Sequence, residues 1–120
     1  MSDIKTLRKD ADSLLQEVGR LTNDRCVICG RPYSCLHHFF PKSSCSALRY
    51  DLDNCIPVCN GCHLGFHSKR SAYFIGKIVC VRGKEWFESL EKKKVSYLKV
   101  NIGYYKDIIK RLESVINKIN

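Results

Sequence analysis

Two Cys-x-x-Cys pairs constrain the fold of this chain more than any other feature. Cys26 and Cys29 form the first pair, and Cys59 and Cys62 form the second. A glycine follows the first pair and another interrupts the second, as tight turns around thiolates require. Four thiolates at this spacing are typical of a tetrahedral zinc site, and a chance pairing is the weaker alternative. We therefore predict a structural Zn²⁺ held by these four cysteines.

The cellular compartment decides how the eight cysteines are interpreted. The segment "MSDIKTLRKDADS" is charged throughout, and no later run approaches the roughly 18 apolar residues of a membrane span. We therefore expect a cytoplasmic protein without a membrane partner, in which reduced thiols favour metal ligation over disulfides. The cysteines outside the two pairs have no partner at ligand spacing and are expected to be small buried hydrophobic residues: Cys35, Cys45, Cys55 and Cys80.

Size and charge limit the architecture and the partner. The chain has 120 residues, 44% of them apolar, which suits one domain with a modest core. Its formal net charge of +9 indicates an extended polyanion as partner. Nucleic acid fits best, and an acidic membrane surface is the weaker alternative.

The hydrophobic pattern predicts an α+β fold. Apolar residues recur at three- and four-residue steps from Ile4 to Leu21 and again from Tyr105 to Ile119, which indicates a helix at each end. Between them, "CVIC", "CLHHFF" and "CIPVC" indicate short strands and loops, a short helix begins at Asn60, and "KEWFESLEKKK" indicates another helix. The pattern of "SAYFIGKIVCV" fits helix or strand, although Gly83 after it suits a helix C-cap.

These segments predict one domain in three parts. They are an N-terminal helix over 1–24, a zinc-knuckle core over 25–71 and a mainly helical C-terminal part over 72–120.

The histidines point to a second metal. His63 and His67 are four residues apart on a predicted helix, so their imidazoles share one face. His37 and His38 are adjacent on a predicted strand and must point to opposite faces, so one can complete the metal site while the other faces the substrate. Three neutral nitrogen ligands leave coordination positions open, and a nearby unligated histidine is suited to be a general base. Asn54 can supply an amide oxygen that orients this base, although turn chemistry is an alternative role.

The run "CVICG…LHHFFPK…LRYDLDNCIPVCNGCHLGFH" resembles the HNH nuclease family, which has a ββα-metal fold. The resemblance implies that His37 is a metal ligand, His38 is the general base and Asn54 orients it. The last histidine of the family motif falls on His63, and His67 matches an additional ligand of the subgroup related to colicin nucleases. A structural zinc around the motif also occurs in many members.

The flanking sequences resemble a narrower group. "VGRLTNDRCVICG", "LRYDLDN" and "GKEWFESLEKKK" are similar to phage-encoded HNH proteins described as NinG-like recombination nucleases, over roughly Lys5 to Lys93. This resemblance implies a phage origin, the host cytoplasm as the location, and branched or recombination DNA as the substrate.

The sequence as a whole predicts a metal-dependent endonuclease that hydrolyses DNA. The catalytic cation is Mn²⁺, Ni²⁺, Co²⁺, Mg²⁺ or Zn²⁺, with the softer ions favoured over Mg²⁺ by imidazole ligands. Four basic residues near the motif are expected to contact phosphates: Lys42, Arg49, Lys69 and Arg70. Four aromatic residues either belong to the core or stack on bases: Tyr73, Phe74, Trp86 and Phe87. A noncatalytic zinc-dependent DNA-binding module and an RNase on the same scaffold are the alternatives, and a homodimer is left open because one site cuts one strand per engagement.

Overall fold

The computed structural model describes residues 3–43, 45–96 and 98–119, and these residues form an α+β fold with five α-helices and one two-stranded sheet. In chain order the elements are α1 (Ile4–Thr22), β1 (Cys35–His38), β2 (Cys55–Val58), α2 (Asn60–Phe66), α3 (Ser71–Arg82), α4 (Lys84–Lys94) and α5 (Ile102–Ile119). Two short 3₁₀ turns, Ser46–Leu48 and Leu52–Asn54, lie between the strands. The predicted fold class is confirmed. None of the helices described is both long and apolar enough to cross a membrane.

The chain forms two compact units. The first comprises Met1–Thr22 and Leu98–Asn120, and the second comprises Asn23–Tyr97. The first unit contains α1 and α5, and the second contains the sheet with α2, α3 and α4.

In the first unit, α1 and α5 pack against each other through apolar stripes. The buried side chains are Leu7, Ala11, Leu15 and Val18 of α1 and Tyr105, Ile108 and Leu112 of α5. Their three- and four-residue spacing places each set on one face of its helix. The Nε of Arg8 donates a hydrogen bond of 3.0 Å to the hydroxyl of Tyr105 and ties the two helices at one edge. The predicted terminal helices are therefore present.

In the second unit, β1 and β2 pair antiparallel, with Cys35 opposite Val58 and His38 opposite Cys55. All four residues of β2 are buried, which explains the unbroken apolar run "CIPV". The "CVIC" segment is a turn, in which the N–H of Gly30 donates to the carbonyl of Cys26 at 3.0 Å. Gly30 has φ of +76°, a conformation that glycine adopts without steric cost.

The segment that the sequence left open is helical. Helix α3 ends at Gly83, which has φ of +97° and donates its N–H to the carbonyl of Val79 at 2.8 Å. The predicted C-cap is confirmed, and α4 begins directly after it. Trp86 on α4 packs against the core of this unit and donates its indole N–H to the carbonyl of Asp53 at 2.8 Å. The core itself is formed by Cys26, Ile56, Val58, Cys59, Cys62, Phe66 and Ile78.

The cysteines outside the two pairs differ in burial. Cys55 is buried, and Cys35 and Cys45 are partly buried. Cys80 is exposed, so the prediction that it is a buried hydrophobic residue is wrong. The reason is that α3 buries only Ile78 and turns the neighbouring Cys80 outward.

Candidate metal centres

The four paired cysteines come together in the second unit. The sulfur atoms of Cys26, Cys29, Cys59 and Cys62 all lie within 4.8 Å of one another. The first two lie on the turn before β1, Cys59 follows β2, and Cys62 lies in the first turn of α2. Such a cluster suggests a structural zinc site, as the spacing predicted.

Two thiols of this cluster, those of Cys59 and Cys62, have shifted pKa values. Burial raises the pKa of Cys59, but the backbone N–H of Cys62 and the thiol of Cys29 outweigh burial and lower the pKa to about 7. Burial also raises the pKa of Cys62, and the neighbouring thiols add to this effect. Zn²⁺ binds thiolates and displaces their protons, so a cation at the centre compensates the charge of crowded thiolates. The donor set therefore fits zinc.

Three of the four histidines form a second cluster. The ligand nitrogens of His37, His63 and His67 all lie within 4.8 Å of one another. His63 lies on α2 and His67 is its C-cap, and their ring centroids are 5.0 Å apart, as their four-residue spacing predicts. Strand β1 supplies His37, whose ring centroid is 5.3 Å from that of His63. A helix and a strand thus direct three imidazoles to one place.

The environment of His37 and His63 favours the neutral imidazole that a metal requires. Burial, and after it the positive forms of His63, His67 and His38, lower the pKa of His37 to about 4. Burial, and then His67, lower the pKa of His63. The Nδ1 atom of His63 is buried and has no hydrogen-bond partner among the described residues. A coordinated cation would satisfy this nitrogen, so the three histidines fit a second divalent metal.

The fourth histidine, His38, contacts a different group. Its Nε2 is 2.9 Å from the backbone carbonyl oxygen of Arg49. A carbonyl oxygen can only accept, so Nε2 carries the proton in this contact and Nδ1 carries the lone pair. Adjacent strand residues therefore have separate surroundings, with His37 in the histidine cluster and His38 at the loop that leads to β2.

Asn54 has a different set of partners from the one expected. Its side chain is fully buried, and its Oδ1 accepts from the N–H of Phe40 at 2.9 Å. Its Nδ2 donates to the carbonyls of Phe40 at 3.1 Å and Leu48 at 3.2 Å. These partners are backbone groups, and the group that accepts from His38 is the Arg49 carbonyl, so a role of Asn54 in orienting His38 stays a prediction. The turn chemistry nearby is supplied by Asp51, whose Oδ1 accepts from the N–H of Asp53 at 3.0 Å.

The four basic residues expected at phosphates lie on two connections. Lys42 and Arg49 belong to the loop between the strands, where Lys42 is exposed and Arg49 is partly buried with its guanidinium 5.7 Å from the Tyr50 ring centroid. Lys69 and Arg70 are exposed in the turn between α2 and α3. Their contact with DNA stays a prediction.

Two features of the site have no signal in the sequence. The ring of Phe66 stacks on that of His37 with centroids 4.0 Å apart and an interplanar angle of 13°. The four-residue spacing between Cys62 and Phe66 is a signal for a shared face of α2, and it does not predict the contact with His37. The Arg49 carbonyl that accepts from His38 is a backbone group, and every residue type has one.

An α+β fold with a four-cysteine cluster and a three-histidine cluster is consistent with the HNH class of metal-dependent nucleases. The chain is 39% identical, over 51 residues, to a mitochondrial DNA mismatch repair protein MutS homolog from Sarcophyton glaucum. The matched stretch is 39% of this chain and spans 5% of the length of that protein. No protein-family model matches the chain, and no solved structure matches it. A phage origin and a role in recombination stay predictions.

Proposed function

We propose that this chain is a metal-dependent endonuclease of the HNH type that hydrolyses phosphodiester bonds in DNA. The observation that carries the proposal is the cluster of His37, His63 and His67, with ligand nitrogens within 4.8 Å of one another and His38 next to it in the chain. A noncatalytic DNA-binding module would need the four thiolates for folding, but it would not need converging neutral imidazoles. The partial similarity to a DNA mismatch repair protein is a second, weaker support for a DNA substrate.

The roles of the residues follow from their contacts. His37, His63 and His67 would hold a divalent cation, which when bound polarises a phosphate and stabilises the leaving oxygen. His38 donates through Nε2 to the Arg49 carbonyl, which orients its ring, and this imidazole would act as the general base on a water molecule. Asn54 fixes the loop that carries this carbonyl through its bond to Leu48, so it is a positioning residue.

The net charge supports a nucleic-acid substrate. With 21 Lys and Arg against 12 Asp and Glu, the chain carries a surplus of cations that attracts a polyanion. Lys42, Arg49, Lys69 and Arg70 are proposed phosphate contacts because they follow or precede the histidine-bearing elements.

The test separates the metal ligands from the base. We expect His38→Ala to lower the cleavage rate of plasmid DNA by about two to four orders of magnitude, the usual contribution of a general base, while keeping metal affinity. His37→Ala should lose the second metal as well. Cleavage is measured with Mn²⁺, Ni²⁺, Co²⁺ and Mg²⁺, and metal affinity by calorimetry, with the zinc content of each variant as the control for folding.

Two outcomes would contradict the proposal. One is that His38→Ala loses the second metal while His37→Ala keeps it, in which case His38 is the metal ligand and His37 is the base. The other is cleavage of RNA but not of plasmid or branched DNA, which would assign the scaffold to an RNase.

A further inference from the structure

Of the four aromatic residues that the sequence left as core or base-stacking candidates, Tyr73 has different surroundings from the other three. Phe74 and Trp86 pack against the core of the second unit, and Phe87 lies near Phe39, with ring centroids 6.0 Å apart. Tyr73 on α3 is 49% exposed. Three of these aromatics therefore have packing roles, and Tyr73 offers a ring to solvent.

Two cations flank the exposed ring. The guanidinium carbon of Arg70 lies 4.8 Å from the Tyr73 ring centroid, and the Nζ of Lys77 lies 5.9 Å from it. These residues precede and follow Tyr73 by three and four positions, which is the spacing of neighbours on one helix face. Lys77 was not singled out from the sequence, because its place beside Tyr73 depends on segment 71–82 being a helix.

The surrounding chain is entirely free of acidic residues. From 54 to 84 the sequence contains no Asp or Glu, and its basic residues are Lys69, Arg70, Lys77, Arg82 and Lys84. This composition favours an anionic ligand over a cationic one.

Tyr73 also lies close to the histidine cluster through packed rings. The Tyr73 ring contacts Phe74 with centroids 5.2 Å apart, Phe74 contacts Phe66 at 5.6 Å, and Phe66 stacks on His37 at 4.0 Å. The turn between α2 and α3 is held by Ser68, whose Oγ donates to the Gly65 carbonyl at 2.7 Å. The ring is therefore held a few nucleotides from the proposed cleavage site.

We propose that Tyr73, Arg70 and Lys77 bind an unpaired nucleotide of the DNA strand that is engaged at the histidine cluster. The base stacks on the tyrosine ring, and the two cations contact the adjacent phosphates. This inference rests on the proposed nuclease function and names its substrate class. In a duplex each base is stacked between its neighbours, so the subsite favours a single-stranded flap or gap near the cut.

The cations over the ring do not prevent stacking. Arg70 and Lys77 are exposed, and a cation–π contact at an exposed site is weaker than the stacking of a base on an aromatic ring. An arriving base can displace a cation, which then moves to a phosphate of the same strand. An acidic peptide would use the two cations but would have no need of an exposed ring between them.

The test measures binding separately from cleavage. The background is His38→Ala, loaded with zinc and Mn²⁺, and the probes are a duplex DNA and a DNA with a single-stranded flap that carries 2-aminopurine. We expect Tyr73→Ala and Tyr73→Leu to bind the flap about 5- to 100-fold more weakly, to leave duplex affinity unchanged and to abolish the quenching of 2-aminopurine. Tyr73→Phe should retain both the flap affinity and the quenching of 2-aminopurine. Lys77→Ala should weaken flap binding, whereas the matched control Lys84→Ala should not.

Unchanged flap affinity in Tyr73→Leu, or an equal loss for flap and duplex, would overturn the inference. Tyr73-dependent binding confined to an RNA flap would overturn the assignment to DNA. Cleavage is followed separately in the protein that retains His38. If this protein binds the flap through Tyr73 but cuts no nucleic acid, the nuclease function is contradicted and the stacking subsite is still supported.

Discussion

Asn54 shows how one buried polar residue shapes the candidate site. Its amide bonds to both backbone groups of Phe40, just after β1, and to the carbonyl of Leu48. The carbonyl of the next residue, Arg49, accepts from His38. A single side chain thus closes the loop between the strands and fixes the acceptor that orients the proposed base.

We expect Asn54→Ala to destabilise the protein by about 2–5 kcal/mol, because the change leaves several buried backbone groups without partners. Asn60→Ala is the matched control, since Asn60 is an exposed asparagine in the same unit. The free energy of unfolding is measured by chemical denaturation. If Asn54→Ala lowers the free energy of unfolding no more than the control does, the hydrogen bonds of Asn54 contribute little to stability.

The sequence identified side-chain clusters that follow from residue spacing better than it identified contacts made with backbone groups. The four-residue spacing of His63 and His67 on a helix sufficed to place them together, as the cluster of ligand nitrogens shows. The partners of Asn54 are carbonyl and N–H groups in a loop, and no side-chain pattern marks them. For this reason the sequence indicated Asn54 as a candidate but did not indicate the backbone groups that its amide contacts.

At the scale of elements, the close approach of α2 and α3 depends on Gly65. A Cβ built on Gly65 would lie 2.3 Å from the Cε2 atom of Phe74 and 2.4 Å from its Cζ. Phe74 in turn packs on Phe66, which stacks on His37. The absence of one side chain therefore lets two helices meet beside the histidine cluster.

We expect Gly65→Ala to destabilise the protein by about 1–3 kcal/mol, since the added methyl group overpacks the contact with Phe74. Gly76→Ala is the control, because nothing lies within 4 Å of its Cβ position on α3, and we expect it to be stabilising by about 0.5–1 kcal/mol. Thermal unfolding measures both variants. Phe74→Leu in the Gly65→Ala background should recover part of the lost stability. If it does not, the destabilisation does not come from the contact with Phe74.

The helical state of α3 could not be predicted for a physical reason. Periodicity identifies a helix when one face is buried, but α3 buries only Ile78 and exposes Ile75 and Val81. Apolar residues on several sides give no stripe with a helical period. Gly83 after the helix was the one informative position, because a left-handed residue commonly ends a helix.

At the scale of the whole molecule, the chain is organised by long-range contacts that periodicity does not report. The first and last helices were each predicted from their apolar stripes, but their packing against each other joins residues nearly a chain length apart. The second unit depends on contacts of a different kind, because its core includes three of the four cysteines of the thiolate cluster. A metal held by these thiolates would therefore couple metal binding to the packing of that unit.

We expect Cys59→Ala to unfold the second unit. Structural zinc in small domains contributes about 10–16 kcal/mol of apparent binding free energy, whereas a whole domain is stable by about 5–15 kcal/mol, so we expect the unit to be unstable without the metal.

Trp86 is the only tryptophan in the sequence and packs in this unit, so its fluorescence reports on this unit. Cys80→Ala is the matched control, because Cys80 is exposed and lies outside the cluster. We expect Cys59→Ala to lose zinc and the native Trp86 emission, and Cys80→Ala to keep both. A Cys59→Ala protein that binds no zinc and yet retains the native emission and melting temperature would rule out a structural four-thiolate site.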